Sequence, residues 1–123
     1  MKNYGKELII DLHDCDVTTF TRESLEKYFE ELCTLIDMQR CDLHFWDYEG
    51  DPDGYAEAED HLKGISAIQF IMTSNITIHT LDILKKVFIN VFSCKDFSEA
   101  VATEFSVKFF DANTWQYRTI TRG

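Results

Sequence analysis

The sequence predicts an α+β protein, a two-layer sandwich in which an antiparallel-rich sheet carries two helices on one face. Six short segments have the apolar content of β-strands, and two longer segments have the three- and four-residue spacing of amphipathic helices. Their order along the chain is strand, helix, four strands, helix, strand. Because two helices cannot cover both faces of so wide a sheet, the second face is expected to be open to a partner. The 123 residues are expected to form a single domain, 1–123.

The first half of the chain supplies two strands and a helix. Residues 6–13 read as a strand, and residues 41–48 alternate as a second strand does. Between them, Thr21 is a suitable cap for a helix that runs to about Met38. Residues 49–60 are acidic, contain the only proline, and are expected to form a solvated loop. The apolar positions of the helix are Leu25, Phe29, Leu32 and Ile36.

The second half supplies the centre of the sheet. Residues 64–74 are apolar at both odd- and even-numbered positions, which predicts a central strand covered on both sides. Residues 75–80 and 87–94 read as two further strands, joined by a connector or helical turn, and residues 114–122 alternate as a last strand. Asp96 followed by Glu99 resembles a capping box and predicts a helix start. The predicted buried positions of that helix step by four: Phe97, Val101, Phe105 and Phe109.

Composition excludes several classes of protein. The net charge is −10 and no basic cluster exceeds Lys85 and Lys86, which argues against a nucleic-acid partner and weakly favours a small cationic ligand. No apolar stretch is long enough to span a bilayer, and no secretory signal opens the chain. The four cysteines form no C-x-x-C pair and the histidines show no metal-ligand spacing. We therefore expect a cytoplasmic protein with reduced thiols, no membrane association and no metal site.

The stretch TSNITIHT, residues 73–80, places hydroxyls and an imidazole in an otherwise apolar region. Ser74 is either an ordinary turn serine or a serine held at a strained bend. His79 and Cys94 are each more often structural than catalytic. If the strands that carry Ser74 and Cys94 run antiparallel, the two side chains can approach each other. A serine-hydrolase site is not indicated, because the chain has no G-x-S-x-G elbow.

The segments GISAIQFIMTSNITIHT and VFINVFSC resemble the short prokaryotic form of the S-adenosylmethionine decarboxylase family. That family carries G-[VI]-S, then E-S-H-[IL]-[ST]-I-H-T, then a strand that ends F-[TS]-C. The opening segment GKELIIDLHDCD also resembles the first strand of the family. The resemblance covers nearly the whole chain, and residues 49–60 are the main extra piece.

The resemblance implies a proenzyme that cleaves itself between residues 73 and 74. Ser74 would attack the carbonyl of Thr73 and become the pyruvoyl cofactor, whose ketone forms a Schiff base with the substrate amine and serves as an electron sink. His79 would be the base of the processing reaction, Cys94 the proton donor in decarboxylation, and Ser66 an aid to processing. The implied enzyme is a homodimer that decarboxylates S-adenosylmethionine for spermidine synthesis.

Three positions depart from the family pattern. Thr73 stands where the family usually has Glu, and Asn75 stands where it usually has His. Ile83 occupies the position of a Glu that holds the ribose hydroxyls of the substrate, although the adjacent Asp82 could substitute if the loop shifts by one residue. The alternatives are therefore a pyruvoyl-dependent ornithine or arginine decarboxylase, or a non-processing relative that binds or regulates.

Overall fold

One six-stranded antiparallel sheet forms the frame of the computed structural model, which describes residues 3–123. The spatial strand order is β2-β3-β4-β5-β1-β6, and every neighbouring pair is antiparallel. Helices α1 and α3 contact each other, and α3 also contacts β1 and β6, so the predicted two-layer α+β class is confirmed. The elements are β1 (Gly5–His13), α1 (Arg22–Leu35), β2 (Arg40–Trp46), α2 (Pro52–Glu57), β3 (Gly64–Ile71), β4 (Ser74–Leu81), β5 (Lys86–Ser93), α3 (Glu99–Phe110) and β6 (Thr114–Arg122), with short 3-10 turns at Val17–Thr19 and Asp60–Leu62.

The hydrophobic core lies between the sheet and the long helices. Side chains of a strand point alternately to its two faces, and in β4 the even-numbered positions, including Ile76 and Ile78, are buried. No helix of residues 3–123 packs on the other face. On it, Ile68 and Phe70 of β3 are 38% and 43% exposed. The prediction that this strand is covered on both sides is therefore wrong for a single chain, because both long helices pack on the same face.

Helix α3 differs from its prediction in its start and in its buried face. Its N-cap is Ser98, whose side chain accepts from the Val101 N–H, whereas Asp96 lies outside the helix and forms an ion pair with Lys6 at 2.7 Å. The buried face is turned away from the predicted row, and Val101 is 40% exposed. Small residues on the buried face let the helix approach its neighbours closely. The buried residues are Ala102, Thr103, Ser106 and Phe110.

Three other boundaries refine the predictions. Thr21 caps α1 as predicted, but the helix ends at Leu35, before Met38. The acidic loop contains a short helix, α2, because Asp51 accepts from the Gly54 N–H at 3.0 Å and proline suits a first helical turn. The segment between β4 and β5, residues 82–85, is a short turn that contains no helix or strand, in agreement with the predicted connector.

A buried hydroxyl pair joins the two long helices. The Tyr28 hydroxyl lies 2.7 Å from Ser106 Oγ, and Ser106 Oγ donates to the Ala102 carbonyl at 2.8 Å. Since Ser106 has one hydroxyl hydrogen and gives it to Ala102, Tyr28 must be the donor in the pair. Both side chains are fully buried.

Because Tyr28 donates to Ser106, removing each hydroxyl is expected to change the stability by a different amount. Tyr28→Phe leaves Ser106 with its Ala102 partner and is expected to lower the free energy of unfolding by about 1 kcal/mol. Ser106→Ala leaves the Tyr28 hydroxyl buried without an acceptor and is expected to cost about 1–3 kcal/mol. Urea unfolding of both variants, each in a Ser74→Ala background so that all chains are intact, measures the difference. Equal losses would contradict the assigned direction.

Candidate active site

The hairpin between β3 and β4 has a two-residue loop, Met72 and Thr73. Ile71 pairs with Ser74 across the hairpin, so Ser74 is the first residue of β4. Thr73 has a φ of 56°, the left-handed region, which costs a β-branched residue about 1–2 kcal/mol. The strained residue is thus Thr73, and Ser74 follows it directly with its side chain buried.

The antiparallel pairing of β4 and β5 brings Cys94 beside Ser74. Asn75 is opposite Phe92, and the Cys94 backbone N–H donates to Ser74 Oγ at 3.3 Å. The Thr73 hydroxyl lies 3.2 Å from Cys94 Sγ and donates to the Met72 carbonyl at 2.7 Å. The structure therefore places together three of the residues singled out in the sequence.

The Cys94 thiol is more acidic than an ordinary cysteine. The hydrogen bond with the Thr73 hydroxyl is the largest factor that lowers its pKa, with further contributions from the Tyr4 and Ser74 hydroxyls, and partial burial opposes them. At Cys15 and Cys33 burial is the largest factor, and it raises the pKa of each thiol to about 11. Among these three thiols, Cys94 beside Ser74 is therefore the one that ionises most readily.

The start of β1 completes the surroundings of Cys94. The Tyr4 ring stacks on Phe92 with 6.3 Å between centroids, and Tyr4 lines a shallow depression together with Cys94. A Cβ added at Gly5 would collide with the Ser93 carbonyl oxygen and lie 2.8 Å from Cys94 Cα. Tyr4 and Gly5 were not among the site residues predicted from the sequence. The sequence feature that could have indicated Gly5 is a glycine at the start of a strand, where another backbone segment often approaches closely.

His79 and Ser66 form a second cluster on the open face. They are opposite each other in the pairing of β3 and β4, and Ser66 Oγ lies 2.8 Å from His79 Nδ1. Both line a cleft of about 680 Å³ whose walls include the aromatic side chains of Trp46, Tyr48 and Phe88.

The two clusters are separate within one chain. His79 is five residues after Ser74 on the same strand, which places it about 16 Å away along β4. An odd separation also places the two side chains on opposite faces, and indeed Ser74 is buried with the core whereas His79 is exposed. The structure does not bring His79 or Ser66 to Ser74 in the single chain.

Asp82 lies outside the lining of the cleft. Its carboxylate accepts a hydrogen bond of 2.8 Å from the Tyr55 hydroxyl of α2, which also raises the pKa of Tyr55. Its backbone N–H donates to the Lys63 carbonyl at 2.9 Å. Ile83 is 49% exposed in the same turn. The acidic segment thus docks against this turn and fixes Asp82 there.

Residues 3–123 contain no group of three or more histidine, cysteine or acidic side chains placed to hold a metal ion. Over the same residues, none of the helices has the length and apolar character needed to cross a bilayer.

The fold and the site define a two-layer α+β protein in which Ser74 begins a strand directly after a strained turn. The profile of the S-adenosylmethionine decarboxylase family matches residues 6–123, and the chain belongs to that family. In fold, the chain is similar to the crystal structure of the adenosylmethionine decarboxylase from Aquifex aeolicus VF5, with a TM-score of 0.79 and 18% sequence identity. The match covers 100% of this chain and 93% of that one. The sequence has no match among curated proteins.

Proposed function

We propose that the protein is a self-processing, pyruvoyl-dependent decarboxylase that acts on S-adenosylmethionine and supplies aminopropyl groups for spermidine synthesis in the cytoplasm. The observation that carries the proposal is the arrangement of Ser74 directly after the strained Thr73 and beside the Cys94 thiol. Membership of the family supports the same reaction class.

Self-cleavage would begin at the peptide bond between Thr73 and Ser74. Ser74 Oγ attacks the Thr73 carbonyl carbon, the bond to the Ser74 nitrogen breaks, and that nitrogen takes the hydroxyl proton, which leaves an ester. The N–H of Cys94 donates to Ser74 Oγ and so holds the nucleophile at the start of β4. A base then removes the Cα proton of residue 74, and cleavage of the Cβ–Oγ bond releases the Thr73 carboxylate. Tautomerisation and hydrolysis of the resulting enamine release ammonia and leave a ketone.

The residues around Ser74 fit a pyruvoyl group at that position. Ser74 is 8% exposed, which protects a ketone from bulk water, and Cys94 offers a proton beside it. The pyruvoyl group supplies a carbonyl that condenses with an amine and accepts the electrons released with CO2. Cys94 Sγ would hold the proton that is returned to the substrate carbon, because Cys94 lies beside residue 74.

The processing base has to come from another chain in this proposal. His79 lies about 16 Å from Ser74 along its own strand, too far to take the Cα proton of residue 74 in the same chain. The open face also exposes Trp46 and Phe70, which favours a second sheet as its cover. A two-fold axis that runs the strands of two copies in opposite directions would place the His79 end of one sheet over the Ser74 end of the other. The active form is therefore a homodimer in which His79 and Ser66 of one protomer serve Ser74 of its partner.

One feature of the structure favours a second candidate substrate. The turn after His79 offers Ile83, an apolar side chain, at the position implied to hold ribose hydroxyls, and Asp82 is already bonded by Tyr55. An apolar side chain cannot accept hydrogen bonds from a sugar, so a basic amino acid such as ornithine or arginine is the second candidate substrate. Release of CO2 from S-adenosylmethionine, ornithine and arginine by the processed protein decides between them. If only ornithine or arginine is decarboxylated, that amino acid replaces S-adenosylmethionine as the proposed substrate.

Denaturing mass spectrometry tests the proposed self-cleavage. Purified protein is expected to contain fragments 1–73 and 74–123, the second beginning with a pyruvoyl group instead of serine. Ser74→Ala is the matched control and is expected to remain a single intact chain. If wild-type protein also stays intact after long incubation, the enzyme proposal fails and a non-processing binding or regulatory role takes its place.

A further inference from the structure

We propose that the side chain of Thr73 positions the turn for self-cleavage, because its hydroxyl ties the left-handed residue to the Cys94 thiol until the chain is cut. This inference rests on the proposed self-cleavage and adds a role to a residue that otherwise contributes only its backbone carbonyl. Thr73 would act through Cys94 and through the shape of the turn, and not by touching the substrate.

The first support is the conformation of the turn. Thr73 has a φ of 56°, a region that β-branched residues avoid. Glycine or asparagine would adopt it at lower cost, so threonine needs contacts that keep it there. Two such contacts come from its own hydroxyl, which lies 2.7 Å from the Met72 carbonyl oxygen and 3.2 Å from Cys94 Sγ.

The second support is the hydrogen count at that hydroxyl. Threonine has one hydroxyl hydrogen, which in this geometry goes to the Met72 carbonyl. A protonated Cys94 must then donate to Thr73 Oγ1. When Cys94 ionises, the hydroxyl hydrogen can instead turn to the thiolate, and this bond is the largest factor that lowers the pKa of Cys94. The residue before the cleaved bond is therefore coupled to the protonation of the thiol.

Cleavage would break this coupling. After the cut, Thr73 is the end of the first fragment and is no longer held in the loop between β3 and β4. The thiol then loses its Thr73 partner and becomes available to a substrate in the processed protein. The same contact would thus restrain the thiol before cleavage and release it afterwards.

Two conservative variants separate this role from a general effect on folding. Thr73→Val keeps the branched shape and removes the hydroxyl, and it is expected to slow formation of the 74–123 fragment about fivefold, the effect of one lost hydrogen bond. Thr73→Ser keeps the hydroxyl and is expected to cleave within about twofold of the wild-type rate. Cys94→Ala is expected to slow cleavage by a similar factor, and the Thr73→Val, Cys94→Ala double variant is expected to be no slower than either single variant.

A second readout does not depend on cleavage. In a Ser74→Ala background, the rate of Cys94 alkylation is measured against pH by peptide mass spectrometry, which separates Cys94 from the exposed Cys41. Thr73→Val is expected to move this profile to higher pH, and Thr73→Ser to leave it in place. The other titratable groups that share the shallow depression around the thiol are unchanged in all of these variants: Tyr4, Lys6, Lys95 and Asp96.

The outcomes are distinct. A wild-type cleavage rate for Thr73→Val, or an unchanged Cys94 profile, overturns the inference. If wild-type protein does not cleave at all, the proposed function fails and the positioning role fails with it, whereas the alkylation profile still shows whether Thr73 and Cys94 interact.

Discussion

Chains that carry His79→Ala are expected to remain uncleaved alone and to be cleaved when they are paired with chains that carry Ser74→Ala. In a mixed dimer, the first chain contributes an intact Ser74 and the second contributes an intact His79. The 16 Å span along β4, about five residues, prevents His79 from serving Ser74 of its own chain. Only the pairing of two different copies can then restore the reaction.

The measurement is denaturing mass spectrometry of two coexpressed chains with different affinity tags. Random pairing places about half of the His79→Ala chains in mixed dimers, so up to about half of them should be cut, whereas the Ser74→Ala chains should stay intact. A Ser66→Ala, His79→Ala double variant is the matched partner control, because both substitutions lie on the same contributing surface and should be rescued together. If His79→Ala chains stay intact in the mixture, the base does not come from a partner copy.

The fold could be predicted from the sequence because its signals are local. The strand at residues 87–94 and the cap at Thr21 each depend on neighbours within a few residues, and both are present in the structure. The face of α3 depended instead on tertiary packing. Phe105 and Phe109 form the obvious apolar row, yet the buried face is built around Ser106, which accepts the Tyr28 hydroxyl from the other helix. Hydrophobicity alone does not reveal such a pair.

Part of the candidate site could also be predicted, because it depends on two strands that are neighbours in the sequence. Ser74 begins β4 and Cys94 directly follows the end of its antiparallel neighbour β5, so their proximity follows from strand order, and the Cys94 N–H donates to Ser74 Oγ in the structure. The separation of His79 from Ser74 also follows from strand geometry, since five residues is an odd step. The motif favours grouping the two residues because it presents them in one short stretch. Strand geometry shows that such a stretch can serve two different sites.

Contacts between segments that are far apart along the chain could not be predicted from the sequence. Tyr4 meets Cys94 only because β1 lies next to β5, and the tight approach of Gly5 to the Ser93 carbonyl depends on the same pairing. The bond from Tyr55 to Asp82 links an acidic segment, expected to be free in solvent, to the turn after His79. Because of this bond, the Asp82 carboxylate is already occupied by Tyr55. The sequence neighbours of Asp82 could not reveal this, since Tyr55 lies 27 residues away.

Cys94→Ala is expected to separate the two activities of the protein. Cleavage should slow only a few-fold, because the Cys94 N–H that holds Ser74 Oγ belongs to the backbone and survives the substitution. Decarboxylation should fall by roughly 10²- to 10⁴-fold, the usual contribution of a positioned general acid. The two rates are measured on the same sample, cleavage by mass spectrometry and turnover by CO2 release from fully processed protein.

Cys94→Ser provides the matched control, since a hydroxyl can bond to Thr73 Oγ1 but is a far weaker acid than a thiol. It is expected to restore the cleavage rate without restoring turnover. Full turnover by Cys94→Ala would remove Cys94 from the decarboxylation step and leave it only its contact with the scissile turn. Turnover restored by serine would show that hydrogen bonding at this position matters and the acidity of the thiol does not.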